Sequence, residues 1–323
     1  MKTRTQLLPP KYTFKIAHTD PILSLGSCFS LHMSDKLTYM GYHVRQNPCG
    51  ITFNPASLLT TIQRVKNPDS LHESQLNFHN SLFSHPDFHS SFNKSSADDI
   101  LDYTKTSLIK TQKYLTGAKY VFITIGTCFV YRDNKTTQIV NNCHKLPTEQ
   151  FTRELLSLQD VSAILDQLRQ ELMDSCDPKL QLVWTVSPVR HTKNGLVDDR
   201  KSKSTALLAI HELVTKHENC HYFPSYELMV DDLRDYRYYD RDMIHPSSLA
   251  VDMIFDMVKE CLLLAEEAPL RAQVKSVKDR MQHRALFPES ESHRLFLEKL
   301  DEDKERLLAV SYTHLTLPTI CSV

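Results

Sequence analysis

Short apolar runs alternate along this chain with helical patterns of a dozen or more residues. The clearest run is 120–125, Tyr-Val-Phe-Ile-Thr-Ile, which stops at Gly126. Strands that alternate with helices of this length form βαβ units, so the pattern predicts an α/β fold with a mostly parallel sheet. The other predicted strands are 22–25, 42–45, 180–186 and 220–223, and the predicted helices are 30–40, 55–66, 98–116, 149–176, 201–217 and 246–267.

Other segments depart from this alternation. Residues 67–95 and 131–148 are polar and lack periodicity, which predicts two long loops. Residues 270–308 are charged and helical in pattern, which predicts a peripheral extension. We therefore expect an α/β domain over 1–268 and a helical extension over 269–309.

The last residues, 310–323, differ from everything before them. They are rich in Thr, Leu and Pro and have no helical or strand periodicity, although they follow a charged helical segment. Such an ending resembles translated sequencing-adapter read-through. We therefore predict that this segment is not native, a hypothesis that resequencing of the locus tests.

The composition limits the partners and the compartment that we expect. Hydrophobic residues make up 41% of the 323 residues and the net charge is −1, which is typical of a soluble globular protein and predicts neither a nucleic-acid nor a membrane partner. The 8 cysteines include no C-x-x-C pair, so we expect reduced thiols in a cytoplasmic protein, with no metal and no cofactor. The oligomeric state is not predicted.

Glycine is scarce, which excludes several functions. The chain has 6 glycines, where average usage of about 7% would give roughly 23. Neither a G-x-G-x-x-G dinucleotide loop nor a G-x-x-x-x-G-K-[ST] phosphate loop is present. Gly26, Gly50 and Gly126 lie at or just after predicted strand ends, where open α/β sheets bind their ligands.

The first candidate for chemistry is Gly26-Ser27-Cys28-Phe29, directly after a predicted strand. A strand-to-helix turn can present a nucleophile and direct helix amides at a thiolate or an oxyanion. The structural alternative is a turn glycine followed by a helix-capping serine and a core cysteine. The residues alone do not decide between the two.

The second candidate is Asp242-Met243-Ile244-His245-Pro246, just before a predicted helix. An aspartate and a histidine three residues apart can touch in a tight turn, where the carboxylate fixes the imidazole tautomer and stabilises the imidazolium. An exposed turn pair without catalytic role has the same sequence pattern.

Four further residues are candidates for substrate contact. His85 and His89 lie four residues apart, but a single pair is insufficient for metal binding, so substrate contact or local hydrogen bonding is expected. Arg190 and His191 follow a strand end, where a guanidinium can hold a carboxylate or phosphate, or simply lie at the surface. The tyrosine-rich segment 236–239 could stack on a sugar or cover the core.

Taken together, these motifs resemble the GSCFA family, which belongs to the SGNH (GDSL-like) hydrolase superfamily. The resemblance extends from about Ser24 to about Asp256. The matching segments are Ser-Leu-Gly-Ser-Cys-Phe-Ser at 24–30, Asn-Pro-Cys-Gly-Ile-Thr-Phe-Asn-Pro at 47–55, His-Pro-Asp-Phe-His-Ser at 85–90, Thr-Ile-Gly-Thr at 124–127, Ser-Pro-Val-Arg-His at 187–191 with Lys203, and Asp242 to Pro246.

The resemblance implies a three-layer α/β/α sandwich and assigns roles to residues. In the superfamily register, the nucleophile position falls on Cys28, whose thiol can ionise near neutral pH beside a histidine and a helix N-terminus. Ser27 is the alternative if the turn is shifted by one residue. His245 is then the general base and Asp242 its orienting partner.

The resemblance also implies an oxyanion hole, with one departure. Gly50 matches the glycine whose backbone N–H serves in the hole. The superfamily's third-block asparagine would fall at Cys128, which has no amide donor. Gly126 and Thr127, or the amide of Asn54, would have to replace it.

The expected function is acyl-ester hydrolysis on an acylated carbohydrate or other small metabolite, by analogy with the superfamily. Two alternatives remain open at this stage. One is acyl transfer at the same site, and the other is a non-catalytic glycan- or metabolite-binding module.

Overall fold

The computed structural model describes residues 5–310 and forms ten strands and nine α-helices within them. The segment 311–323, which carries most of the predicted non-native tail, lies outside the described residues. The strands are β1 (Ile22–Gly26), β2 (Val44–Gln46), β3 (Asn77–His79), β4 (Leu82–Ser84), β5 (Tyr120–Ile125), β6 (Phe129–Asp133), β7 (Ile139–Val140), β8 (Phe151–Leu155), β9 (Gln181–Val186) and β10 (Cys220–Tyr222). The helices are α1 (Cys28–Tyr39), α2 (Pro55–Lys66), α3 (Ala97–Leu115), α4 (Leu158–Met173), α5 (Leu196–Lys216), α6 (Ser225–Glu227), α7 (Ser248–Leu262), α8 (Ala268–Met281) and α9 (Glu291–Val310).

Five of the strands form the predicted parallel sheet, in the order β10-β9-β5-β1-β2. In register, Gly26 of β1 lies opposite Thr124 of β5, and Ile125 of β5 lies opposite Val186 of β9. The chain leaves β1 to one side toward β2 and later returns on the other side as β5. The crevice beyond the carboxyl ends of β1 and β5 is therefore the topological switch point, where open α/β sheets bind ligands.

Helices cover both faces of this sheet, which confirms the three-layer α/β/α fold. One face packs on α2, α3, α4 and α5, whose apolar residues surround the fully buried Trp184. The other face packs on α1 and α7, with Phe29 and Ile254 in that core. Because strand residues alternate between the faces, each strand contributes to both cores.

The predicted helix 149–176 is wrong at its start. Residues 151–155 form β8, which pairs antiparallel with β6. Helix α4 begins only at Leu158, after Ser157 and Asp160 form a reciprocal capping box. The residues upstream of this cap join a second, three-stranded sheet of order β7-β6-β8, so tertiary pairing overrides their helical pattern.

The two predicted long loops contain structure that the sequence did not indicate. Segment 67–95 contains the hairpin β3–β4, and segment 131–148 contains most of β6 and all of β7. These strands have only two to five residues. Such short strands depend on cross-strand pairing, which leaves little local pattern to detect.

The C-terminal helices α8 and α9 pack on each other through an apolar cluster that includes Val274 and Leu300. Helix α8 also contacts the α/β body, where Arg271 donates to the Tyr42 hydroxyl and Lys278 donates to the backbone oxygen of Thr38. Among the described residues, no helix is both long and apolar enough to cross a membrane.

Candidate active site

The turn after β1 is held in one conformation by its neighbours. Gly26 has a φ of +136°, and a Cβ there would lie 2.3 Å from the backbone oxygen of Thr124. Its N–H donates to Oδ1 of Asn47 at 2.8 Å, and Nδ2 of Asn47 donates to the hydroxyl of Ser30 at 3.2 Å. Only glycine fits this turn, and the buried Asn47 ties it to the first turn of α1.

The two nucleophile candidates have opposite environments. Ser27 precedes α1 as its N-cap, but its side chain makes no capping hydrogen bond. It is fully buried, and its hydroxyl oxygen has no partner among the described residues. Cys28 is the first residue of α1 and is only half-buried. Of the two side chains, Cys28 is therefore the one within reach of a ligand.

The surroundings of the Cys28 thiol disfavour its ionisation, whereas the sequence led us to expect a thiol that ionises near neutral pH. Burial raises its pKa above the ordinary value. The backbone amides of Phe29 and Cys28, and the charge of Lys203, oppose that rise without cancelling it. The carboxylate of Asp242 lies near enough to raise the pKa further, which also places Asp242 in the neighbourhood of the thiol.

Asp242 and His245 form the contact that their spacing predicts. Nδ1 of His245 lies 2.6 Å from Oδ2 of Asp242, while Oδ1 accepts from the backbone N–H groups of Ile244 and His245. These bonds to His245 and Ile244 lower the pKa of Asp242 to about 2. The carboxylate is thus ionised and accepts the proton of Nδ1, which leaves Nε2 of His245 as the basic nitrogen.

Arg190 supports the loop that carries this pair. Its backbone N–H donates to the oxygen of Ile244 at 3.1 Å, and its guanidinium donates to the oxygen of Met243 at 3.4 Å. Met243 has a φ of +57°, which is uncommon for a residue with a side chain. Both bonds reach the backbone beside that left-handed residue, so Arg190 stabilises the turn.

The backbone amides expected in the oxyanion hole are already used. The N–H of Gly50 donates to the oxygen of Asn47 at 2.8 Å. The N–H groups of Gly126 and Thr127 both donate to the oxygen of Phe53, at 2.8 and 2.9 Å. These three donors are not free in this structure.

The side chains expected to replace the missing asparagine also have structural roles. Asn54 caps α2, with Oδ1 accepting from the N–H of Ser57 at 2.8 Å, a bond that uses the amide oxygen and not the Nδ2 donor that an oxyanion would need. The hydroxyl of Thr127 lies 2.9 Å from that of Ser202, which accepts from the N–H of the buried Cys128 at 2.7 Å. The polar groups at the end of β5 therefore bond to one another and stabilise the local fold.

His85 and His89 make local hydrogen bonds, one of the two expected outcomes. His85 is buried, and its Nδ1 accepts from the N–H of Asp87 at 3.1 Å. His89 accepts from the N–H of Ser91 at 3.2 Å, and its Cβ lies 2.4 Å from where a Cβ on Gly50 would be. In the part of the chain that the structure describes, no group of three or more His, Cys, Asp or Glu side chains could hold a metal ion.

Lys203 is a site residue that sequence reasoning underrated. It is fully buried, and its ammonium donates to the backbone oxygens of Gly126 and Ser187 at 2.6 and 2.8 Å. Burial lowers its pKa to about 8, although Asp199 opposes this. Lys203 thus links the carboxyl ends of β5 and β9 behind the candidate nucleophile.

His191 lies beside the same strand ends. Its backbone N–H donates to Oδ1 of Asp199 at 2.9 Å, and its ring Nε2 is buried without a partner among the described residues. Burial lowers its pKa to about 4, and the charges of Lys203 and His245 act in the same direction. His191 is therefore a neutral imidazole close to the Asp242–His245 pair.

This fold and this arrangement define a class of protein. It is a three-layer α/β/α protein with a strand-to-helix turn bearing a thiol, and an Asp–His pair on the loop before its last sheet-covering helix. Residues 21–257 match the model of the GSCFA family, and the chain belongs to that family.

Other comparisons add little to this assignment. No curated protein matches the sequence. One similar solved structure is a carbohydrate esterase family 2 enzyme with its carbohydrate-binding domain from Corynascus thermopiles (Myceliophthora fergusii). It is 13% identical, the match covers 79% of this chain and 67% of that one, and the TM-score is 0.35.

Proposed function

We propose that this protein is an acyl-ester hydrolase acting on an acylated carbohydrate or another small acylated metabolite. Cys28 is the nucleophile, His245 the general base and Asp242 its orienting partner. The observation that carries the proposal is the 2.6 Å contact between Asp242 and His245. The Asp242 carboxylate also lies near enough to the half-buried Cys28 thiol to raise its pKa. Membership of the GSCFA family supports it.

Accessibility favours Cys28 over Ser27 as the attacking residue. The Ser27 side chain is fully buried, so an ester carbonyl cannot approach its hydroxyl without movement of the turn. The Cys28 side chain is half-buried at the start of α1, where helix amides point outward. The turn register implied by the family resemblance also places the nucleophile at Cys28.

The raised pKa of Cys28 determines the order of proton transfers. Because the raised pKa favours the protonated thiol, Nε2 of His245 removes its proton as Sγ forms a bond to the acyl carbon. Asp242 stabilises the resulting imidazolium. His245 then gives the proton to the departing alkoxide, which leaves a thioester on Cys28. Water, deprotonated by His245, attacks this thioester and releases the acid and the thiol.

The developing oxyanion needs donors other than Gly50, Gly126 and Thr127. The first N–H groups of an α-helix have no partner inside the helix. At the start of α1, the amides of Cys28 and Phe29 lie close enough to the Cys28 sulfur to lower its pKa. We therefore assign oxyanion stabilisation to these amides and to the positive end of the α1 dipole.

The test is a panel of chromogenic acyl esters combined with mass spectrometry of the trapped acyl-enzyme. We expect a thioester on Cys28, its loss in Cys28→Ala, and normal acylation in Ser27→Ala, whose hydroxyl has no partner to lose. Cys143→Ala removes another half-buried thiol and is the matched control.

Three outcomes would contradict parts of the proposal. Acylation that survives in Cys28→Ala and disappears in Ser27→Ala would make Ser27 the nucleophile. A folded wild-type protein that is acylated by no ester in the panel would overturn the acyl-ester proposal. Product that forms only with an added acceptor alcohol would replace hydrolysis by acyl transfer.

A further inference from the structure

A cleft of about 530 Å³ lies beside the loop that carries Asp242 and His245. Its walls come from α5, from α6 and the segment after it, from the tyrosine-rich segment 236–239 and from Arg190 after β9. The side chains that matter here are three arginines and three tyrosines: Arg190, Arg200, Arg234, Tyr226, Tyr236 and Tyr239.

Two of the arginines are held against aromatic rings. The guanidinium of Arg190 lies 3.7 Å from the ring centre of Tyr239 and 5.6 Å from that of Tyr236. Arg200 lies 5.4 Å from the ring centre of Tyr226 and donates to its hydroxyl. The close stacking of Arg190 on Tyr239 fixes the plane of its guanidinium and leaves N–H groups along its edge for a ligand, whereas Arg200 is held by its bond to the Tyr226 hydroxyl.

These arginines lack the partners that neutralise most charged residues. Across residues 5–310, neither Arg190 nor Arg200 nor Arg234 forms an ion pair with a carboxylate. Arg190 and Arg200 bind only neutral groups, namely the Met243 oxygen and tyrosines. Three guanidinium groups that line one cleft without an ion-paired carboxylate have N–H donors suited to an anion.

Carboxylates also line the cleft, yet they do not compensate these arginines. Both oxygens of Glu227 accept from the Tyr222 hydroxyl, at 2.9 and 2.7 Å. Asp235 accepts from the N–H of Arg237 at 2.9 Å, with the Arg237 guanidinium 3.6 Å away. Asp231 is exposed. Glu227 and Asp235 thus bond to other donors, and none of the three acids forms an ion pair with a cleft arginine among the described residues.

Two residues of the cleft wall bond to the loop that carries Asp242 and His245. Arg190, in its wall, bonds to the backbone of both Met243 and Ile244. Tyr239, also in its wall, bridges to Pro246, which directly follows His245. The walls of the cleft are therefore bonded directly to the residues on either side of His245, the proposed base.

We propose that this cleft binds an oxyanion, a carboxylate or a phosphate, carried by the part of the substrate that is not the acyl group. The proposal that the cleft binds an anion is supported by the cleft geometry alone. Its role in substrate selection rests on the proposed function. The substrate class then narrows to acyl esters of an acidic or phosphorylated carbohydrate or metabolite. Binding to a stacked guanidinium requires no conformational ordering of that side chain, which favours affinity.

The experiment is isothermal titration calorimetry with the Cys28→Ala protein, which excludes turnover. The probes are glucuronate, glucose 6-phosphate and glucose at low ionic strength. We expect both charged sugars to bind, the glucose control not to bind, and the affinity to fall as salt is added. The stronger of the two charged probes identifies the anion as carboxylate or phosphate.

Arg200→Gln and Arg234→Gln should each weaken binding of the charged probes by about tenfold or more, since a charge-assisted hydrogen bond is lost. Arg241→Gln makes the same charge change at an exposed position outside the cleft and should alter the affinity less than about twofold. Arg234 is exposed, so its variant tests the cleft even if Arg200→Gln fails to fold.

Three results would overturn the inference. They are binding of glucose as tight as that of both charged sugars, an equal loss of affinity in Arg241→Gln, and no binding of any charged probe. None of them depends on hydrolysis. A protein that binds charged sugars but is never acylated would instead refute the proposed function and leave the cleft assignment intact.

Discussion

Nδ1 of His245 lies 2.6 Å from Oδ2 of Asp242, and the other oxygen of the same carboxylate accepts from the backbone N–H of His245. One aspartate thus fixes both the ring and the backbone of the residue that it orients. The geometry holds the imidazole in a single tautomer, with Nε2 free of the carboxylate. A three-residue spacing is short enough for this double contact within one turn, and Arg190 supports that turn through two hydrogen bonds to its backbone.

Asp242→Asn should lower kcat/KM for ester hydrolysis by roughly 10²- to 10⁴-fold, because a neutral amide does not stabilise the imidazolium and its NH₂ group, facing Nδ1, favours the wrong tautomer. The measurement is steady-state kinetics on the best chromogenic ester. Asp256→Asn, at an exposed position of α7, is the matched control and should retain the wild-type rate. Equal rates in all three proteins would show that the pair is structural.

Alkylation of Cys28 by iodoacetamide should speed up with pH and reach its midpoint above the ordinary thiol pKa, because burial raises the pKa of this thiol. The sign follows from the reactive species: the thiolate reacts, and burial disfavours the charged form. Rates come from mass spectrometry of the Cys28 peptide, with the same peptide in the denatured protein as reference. A midpoint below that reference would indicate a preformed thiolate and contradict the general-base mechanism.

Gly26→Ala should destabilise the protein by on the order of 3 kcal/mol or more. The added Cβ would lie 2.3 Å from the Thr124 oxygen, at a φ of +136° that side chains rarely adopt. Urea unfolding followed by circular dichroism measures the loss. Gly117→Ala is the matched control, since nothing lies within 4 Å of its Cβ position, and it should change stability by less than about 1 kcal/mol. Similar losses in both variants would refute the steric argument.

Lys203 should make stability depend on pH in the alkaline range. Its pKa is about 8 in the folded state against 10.5 ordinarily, so the unfolded state binds more protons between these values. Stability therefore rises with pH across that window, by on the order of 3 kcal/mol for this group. The free energy of unfolding of the wild type, relative to Lys203→Met, should increase accordingly.

The measurement for Lys203 is urea unfolding of both proteins at several pH values from below 8 to above 10. Taking the difference between wild type and variant removes the contribution of the other titrating groups. Lys201→Met, at an exposed position on the same helix, is measured in parallel. A difference between wild type and Lys203→Met that stays constant with pH would show that Lys203 keeps its proton when buried.

Much of the fold was predictable because its signals are local. The run 120–125 is entirely strand, and the predicted helix 98–116 differs from α3 by one residue at each end. The errors occur where long-range strand pairing decides the secondary structure. Residues 151–155, for example, pair with β6 instead of extending α4. A capping box at Ser157 marks the true helix start, and this signal was present in the sequence.

The candidate site was likewise predictable only in its local features. The sequence by itself determined that Gly26, Cys28, Asp242 and His245 stand at a strand end and in a turn, because adjacency along the chain fixes such geometry. Only the tertiary structure decided that the amides of Gly50 and Gly126 are already used, that burial raises the pKa of Cys28, and that Lys203 bonds to the backbone oxygen of Gly126. Hydrogen-bond availability and desolvation depend on what packs against a group. Segments far away in the chain supply those neighbours, so no local pattern reveals them.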